Sequence, residues 1–176
     1  MSEDGRTMLP KLLQLGNHLK GTILHPQWLT DRFHPISRRH LREIQRCVVL
    51  DIGSGSSSHE GLLGSTNSLY RLDYPETNRR YGESPDVYAD ASSLPIRSGS
   101  VDVVLLLEVL EHIPQHLQAL REIHRVLKPG GSFCTSIPFI YPIHDAPNDY
   151  RRFTIHGVRL LLRENRFRAQ IGRAHV

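Results

Sequence analysis

The chain has 176 residues, 39% of them hydrophobic and 23% charged, with a formal net charge of +4, which suits one soluble domain of roughly 100–200 residues with an ordinary core. No apolar run nears the ~18 residues of a membrane helix, and the N-terminus lacks the basic, apolar and small-residue order of a secretion signal, so the expected location is the cytoplasm. Cys47 and Cys134 lie in apolar segments as reduced core residues rather than a disulfide or metal framework, and the basic residues are scattered rather than gathered into an aromatic-interleaved stripe, so neither a metal nor a nucleic-acid partner is expected.

In chain order, Leu9, Leu12, Leu13, Leu15 and Leu19 form a loose helical stripe that His25-Pro26 interrupts. Ile36, Leu41 and Ile44 give a second helical face, so residues 1–45 are expected to form an N-terminal helical extension. From Cys47 the pattern changes. Short apolar runs at Cys47–Asp51, Ser68–Asp73, Val87–Ala89, Val101–Leu107 and Ser132–Ile137 alternate with helical segments. Before the last run, a helix is expected with Pro114 in its first turn and Leu117, Leu120, Ile123, Val126 and Leu127 on one side. Lys128-Pro129-Gly130-Gly131 stops it. Strands alternating with helices predict a doubly wound, Rossmann-like α/β fold over residues 46–170, with a mostly parallel sheet and helices on both faces. The closing residues 171–176 (Ile-Gly-Arg-Ala-His-Val) match a translated library adapter. They are expected to be a non-native tail, with the fold's final strands missing and the open sheet edge prone to self-association.

Val48-Val49-Leu50-Asp51-Ile52-Gly53-Ser54-Gly55 is an apolar strand running into a glycine turn. Glycines let a ligand at the carboxyl end of a strand approach the backbone closely. Asp73 closes the second run about twenty residues on, where a carboxylate can accept from both hydroxyls of a ribose. A dinucleotide fold would want a third glycine, and Ser58 stands there. Asp51 would repel a pyrophosphate but attract a cationic amino-acid tail or sulfonium. Both features disfavour a nicotinamide-dependent oxidoreductase. Plainer roles stay open: Asp51 as a helix cap, Asp73 as a turn residue before Pro75, Asp90 in an Asx turn.

From Cys47 to Phe167 the chain resembles the class I S-adenosylmethionine-dependent methyltransferases, specifically methyltransferase type 11. Asp51-Ile52-Gly53-Ser54-Gly55 is similar to that family's first motif, and Asp73 to its ribose-binding position. Tyr88-Ala89-Asp90-Ala91-Ser92-Ser93-Leu94-Pro95 resembles the loop where an aspartate meets the adenine amino group, which implies roles for Asp90 and Ala91. Val101 to His112 resembles the fourth strand and its exit, which implies that Glu108 lies beside the methyl donor. Leu120 to Gly131 resembles the helix and turn before the fifth strand. The resemblance implies S-adenosyl-L-methionine as cofactor.

Methyl transfer from a sulfonium mainly requires positioning of the acceptor and removal of its proton. Neither an Asn/Asp-Pro-Pro-aromatic motif nor a Pro-Cys nucleophile follows the fourth run, which counts against nucleic-acid acceptors. Pro138 to Thr154 is dense in groups that titrate and stack, and resembles a stretch of bacterial methyltransferases associated with glycan biosynthesis. His144 is the leading general-base candidate, since an imidazole with pKa ~6.5 removes protons near neutrality. Asp145 or Asp149 could orient it, and His112 is the second candidate. Arg152 is expected to pair with Asp149, and Thr154 to cap the next helix. The remaining histidines read as surface residues. The expected function is methyl transfer to a small-molecule or sugar-containing acceptor. The rivals are a non-catalytic binding module of the same fold and the oxidoreductase above.

Overall fold

The structure, a computed structural model, describes residues 45–55, 63, 67–76 and 84–169. The expected helices of residues 1–44 and the tail at 171–176 lie outside those described. The five apolar runs form one parallel sheet: β1 (Val48–Ile52), β2 (Ser68–Asp73), β3 (Val87–Tyr88), β4 (Val101–Leu107) and β5 (Leu127–Ser136). Their order is β3-β2-β1-β4-β5. The chain therefore winds outward from β1 to β3, then crosses back to lay β4 on the other side of β1. That reversal opens a crevice at the carboxyl ends of β1 and β4, where doubly wound folds bind ligands.

β1 and β4 are nearly continuous apolar runs because both their faces are covered. Leu50, Ile52, Val104 and Leu106 point to one face and share a buried cluster with Leu72, Leu120, Ile123 and Leu162. Val49, Val103 and Leu105 point to the other, against Cys47, Leu63, Leu69, Leu107 and Cys134. Both cysteines are free and half-buried. Two described helices, α1 (His116–Val126) and α2 (Ile155–Glu164), belong to the first face. Thr154 caps α2 as expected, its Oγ1 accepting from Gly157 N–H at 3.0 Å.

Three expectations for α1 are corrected. The helix starts at His116, so Pro114 precedes its cap residue Gln115 rather than occupying the first turn. Ala119 takes the buried place expected of Leu117, which is 42% exposed. Leu127 belongs to β5, which begins there rather than at Ser132. Pairing passes from Val101↔Leu127 to Val103↔Ser132, so the Lys-Pro-Gly-Gly segment is a bulge that absorbs extra residues on one strand.

Polar side chains tie these elements together. Asp102 accepts from Val48 N–H at 2.9 Å and from Lys128 Nζ at 2.8 Å, joining the amino-terminal ends of β1, β4 and β5. The Lys128 ammonium holds its carboxyl below the usual carboxylate range. Glu122 and Arg125 of α1 pair at 2.7 Å and together grip the loop after β3 through Leu94 N–H, Leu94 O and Ile96 O.

Candidate active site

At the crevice, the β1 strand ends in Asp51, 1% exposed, followed by the glycine turn. Gly53 has φ +74 and donates to Leu72 O at 2.8 Å. A Cβ there would lie 2.5 Å from Val109 Cγ2, so the turn passes against the exit of β4 with no room for a side chain. Gly55, φ +51, is the opposite case: a Cβ would meet no described atom within 4 Å, so the turn is open on that side. Its N–H donates to Asp73 Oδ2 at 2.7 Å, while Asp73 Oδ1 accepts from Tyr74 N–H at 2.7 Å. Each oxygen of this buried carboxylate thus keeps lone-pair capacity for a further donor. Asp90 makes the Asx turn that was its plainer reading: Oδ1 accepts from Ser92 N–H and Ser92 Oγ, both at 2.7 Å. Ala91 beside it is buried. Glu108, at the exit of β4, has φ +56 and donates its N–H to Ser136 O at 3.0 Å.

The exit of β4 continues into a short 3₁₀ turn, Leu110–His112. The segment after β5 is laced onto it. Tyr150 N–H donates to Glu111 O at 3.0 Å, and Arg151 donates to Ile113 O at 2.7 Å and Pro114 O at 2.8 Å. Two distant stretches are thereby fixed face to face, and their histidines meet: His112 Nε2 lies 3.1 Å from His144 Nε2. His112 Nδ1 is 2.8 Å from Asn148 O. His144 Nδ1 is 3.2 Å from Asp149 Oδ2, which also accepts from His144 N–H at 3.0 Å. Tyr141 packs edge-on to His144, ring centroids 4.8 Å apart.

Asp149 is 1% exposed and paired with Arg152 through both its oxygens. The guanidinium holds its carboxyl far below the usual range. Arg152 also donates to Arg151 O, Tyr141 O and Pro142 O, so it braces the loop. Of the two candidates, Asp149 lies against the His144 ring nitrogen. Among the other histidines, His116 is not a surface residue as expected. It is half-buried against Phe153, and burial depresses its pKa.

Sequence reasoning left one group out. Glu111 is fully buried, neither carboxylate oxygen has a hydrogen-bond partner among the described residues, and Oε1 stands 3.7 Å from His112 Nε2. Burial raises its pKa to about 8. The signal was a carboxylate directly before His112 between the apolar Leu110 and Ile113, where a solvated glutamate has no business.

Residues 50–135 match the family of methyltransferase domains. A demethylmenaquinone methyltransferase of Staphylococcus epidermidis is 29% identical over 141 residues, covering 73% of this chain and 58% of that protein. A "probable S-adenosylmethionine-dependent methyltransferase" of Mycolicibacterium smegmatis is 33% identical over 114 residues, 57% of this chain and 44% of that one. The chain thus spans roughly half the length of these curated relatives. The solved structure of an S-adenosylmethionine-dependent methyltransferase from Aquifex aeolicus superposes with a TM-score of 0.57 at 17% identity, over 74% of this chain and 77% of that one, which shows the shared fold. The cofactor of this family suits the crevice: a sulfonium and an ammonium call for carboxylates, and a ribose diol for an acceptor such as Asp73 with lone pairs to spare. Residues 50–135 thus carry the methyltransferase domain of that family, and the chain is similar to its S-adenosylmethionine-dependent members.

Proposed function

We propose that this chain moves a methyl group from S-adenosylmethionine to a small-molecule or sugar-containing acceptor, with His144, His112 and Asp149 handling the acceptor's proton. The observation that carries this reading is the 3.1 Å approach of His112 and His144, which come from the segments that follow β4 and β5. Asp51 would neutralise the cationic amino-acid end of the cofactor, with Gly53 and Gly55 giving it close backbone access. Asp73 would accept from the ribose hydroxyls. Asp90 and Ala91 would border the adenine, and Glu108 the methyl-bearing sulfur. When bound, the cofactor supplies a methyl carbon on a sulfonium whose departure as a neutral thioether requires no acid.

The chain's own contribution is to orient the acceptor and take its proton. His144 Nε2 is the acceptor atom: its Nδ1–H is held by Asp149, and Arg152 keeps Asp149 ionised. Tyr150, 45% exposed, is available to stack on a ring. Exposed Ile140 and Ile143 give the same loop an apolar edge, which favours an acceptor with apolar surface. The name of the S. epidermidis relative, which specifies a small-molecule acceptor, supports this scale of substrate.

Calorimetric titration with S-adenosylhomocysteine tests the cofactor half. Wild type should bind it and not NADH, and Asp73→Ala should bind it at least ten-fold more weakly; binding of NADH instead would sink the reading. With a turned-over acceptor in hand, His144→Ala should lose about 100-fold in kcat. Tight cofactor binding with no turnover of any acceptor would favour the non-catalytic module.

A further inference from the structure

We infer that Glu111, His112 and His144 form a binding site for one divalent transition cation of the zinc or manganese kind. The hydrogen bonds on the far side of each ring set where its proton sits. His112 Nδ1 faces only an acceptor, Asn148 O at 2.8 Å, and so carries its proton there. His144 Nδ1 faces the Asp149 carboxylate at 3.2 Å and Pro142 O at 3.3 Å, and so carries its proton too. In neutral rings both Nε2 atoms then carry bare lone pairs, and the two nitrogens lie 3.1 Å apart on rings set at 81° to each other. Two lone pairs at that distance repel unless something positive lies between them.

Glu111 supplies the negative charge that such a cation wants. It is fully buried with both carboxylate oxygens lacking hydrogen-bond partners, a costly state for a charged group without compensation. The donor atoms of the three residues all lie within 4.8 Å of one another. Ligands bound at about 2.0–2.1 Å are separated from each other by about 3.0 to 3.4 Å in octahedral or tetrahedral arrangements. The 3.1 Å nitrogen pair is already at that spacing; Glu111 Oε1 stands 3.7 Å from His112 Nε2 within a cluster 4.8 Å across, so its carboxylate must swing toward the pair to close the third edge. Imidazoles that bind metals characteristically donate their other N–H to a carboxylate or a backbone carbonyl, and both rings do so here. Two imidazoles and one carboxylate suit zinc, manganese, iron or cobalt rather than calcium.

Three protein ligands leave a coordination position open, as in catalytic rather than structural sites. This part rests on the methyl-transfer reading above: an acceptor hydroxyl could occupy that position and lose its proton to solvent on coordination. Its oxygen would retain lone pairs to attack the methyl carbon as the carbon–sulfur bond breaks. An amine could not, since its one lone pair would be spent on the cation. The open position therefore favours an acceptor that keeps a lone pair once coordinated, a hydroxyl rather than an amine, and with a cation bound the imidazoles act as ligands rather than as bases.

The test uses the full chain stripped with chelator, titrated with Zn²⁺ by calorimetry and with Co²⁺ by visible absorption. Wild type should bind one equivalent with a Co²⁺ spectrum of a nitrogen–oxygen site, and its melting temperature should rise with Zn²⁺. Glu111→Gln and His144→Ala should each weaken binding at least ten-fold and lose that rise. Glu111→Gln keeps the size and shape of a buried carboxyl that has no hydrogen-bond partner among the described residues, and should melt no lower than wild type without metal, so its loss of binding is not a loss of fold. Wild type that binds neither ion, or variants that bind like wild type, overturns the site. In that case the imidazoles share a proton, and the base reading stands on its own, judged by S-adenosylhomocysteine binding and turnover.

Discussion

The two ends of the crevice are built differently. The proposed cofactor end is made largely of backbone: a strand and a turn whose glycines at φ +74 and +51 admit no ordinary residue cheaply, with carboxylates at the ends of β1 and β2. The proposed acceptor end is made of side chains from two stretches about thirty residues apart, held together by Arg151, Tyr150 and the Asp149–Arg152 pair. A backbone site is specified locally and fails when a single atom is added. A side-chain site is specified by convergence and fails when a brace is removed. The first should respond to steric change with loss of both fold and ligand, the second to charge change with loss of chemistry.

Gly53→Ala gives the largest expected effect. The new Cβ would sit 2.5 Å from Val109 Cγ2, in a backbone conformation that disfavours side chains. Overpacking costs about 1–3 kcal/mol and the left-handed conformation about 1–2 kcal/mol, so the denaturation midpoint should fall by the equivalent of about 3 kcal/mol and S-adenosylhomocysteine binding should vanish with it. Gly55→Ala sharpens the comparison. No described atom crowds its Cβ, so stability should drop by only about 1 kcal/mol while cofactor affinity still falls. Equal melting temperatures for the two variants would mean that the turn does not press against β4.

Asp149→Asn is the matching change at the acceptor end. It strips a half-buried guanidinium of its ionic partner and leaves the His144 ring without the carboxylate that orients it. Breaking one side of a buried pair costs about 3–5 kcal/mol; with Arg152 24% exposed, that figure is discounted for solvent screening to about 2–3 kcal/mol. Turnover should fall at least ten-fold while S-adenosylhomocysteine still binds. A variant that loses the cofactor and keeps its chemistry would dissolve the distinction between the two ends.

That distinction also accounts for what the sequence made legible. Asp51, Gly53, Gly55 and Asp73 could be read because each stands at a strand end, and strand ends are marked by where apolar runs stop. His112, His144 and Asp149 could be picked as candidates by residue type. Their meeting could not, since it depends on where Arg151 anchors the loop to the carbonyls of Ile113 and Pro114. Glu111 was passed over because a carboxylate next to a histidine looks like solvated surface until its burial is known. The error at Pro114 is local: the chain before it is taken up by the 3₁₀ turn at Leu110–His112, and α1 starts only at His116.

A third location, at the opposite rim of the sheet, isolates charge from both ends of the crevice. Asp102 ties β1 to β5 through Val48 N–H and Lys128, with side chains 29% and 42% exposed for Asp102 and Lys128. An ion pair this exposed contributes about 0.2–1 kcal/mol. Its carboxyl has a lower pKa in the fold than the ordinary 3.8, chiefly through Lys128. The ionised form therefore stabilises the fold above that ordinary value, and the contribution is lost as pH falls through the lowered one. Asp102→Asn keeps an oxygen to accept from Val48 N–H and deletes only the charge. It should melt slightly below wild type at pH 7, the gap should close as the pH is lowered through the acid range, and cofactor binding and turnover should be unchanged. A gap that persists unchanged at acid pH would mean that shape and hydrogen bonding at this rim matter and its charge does not.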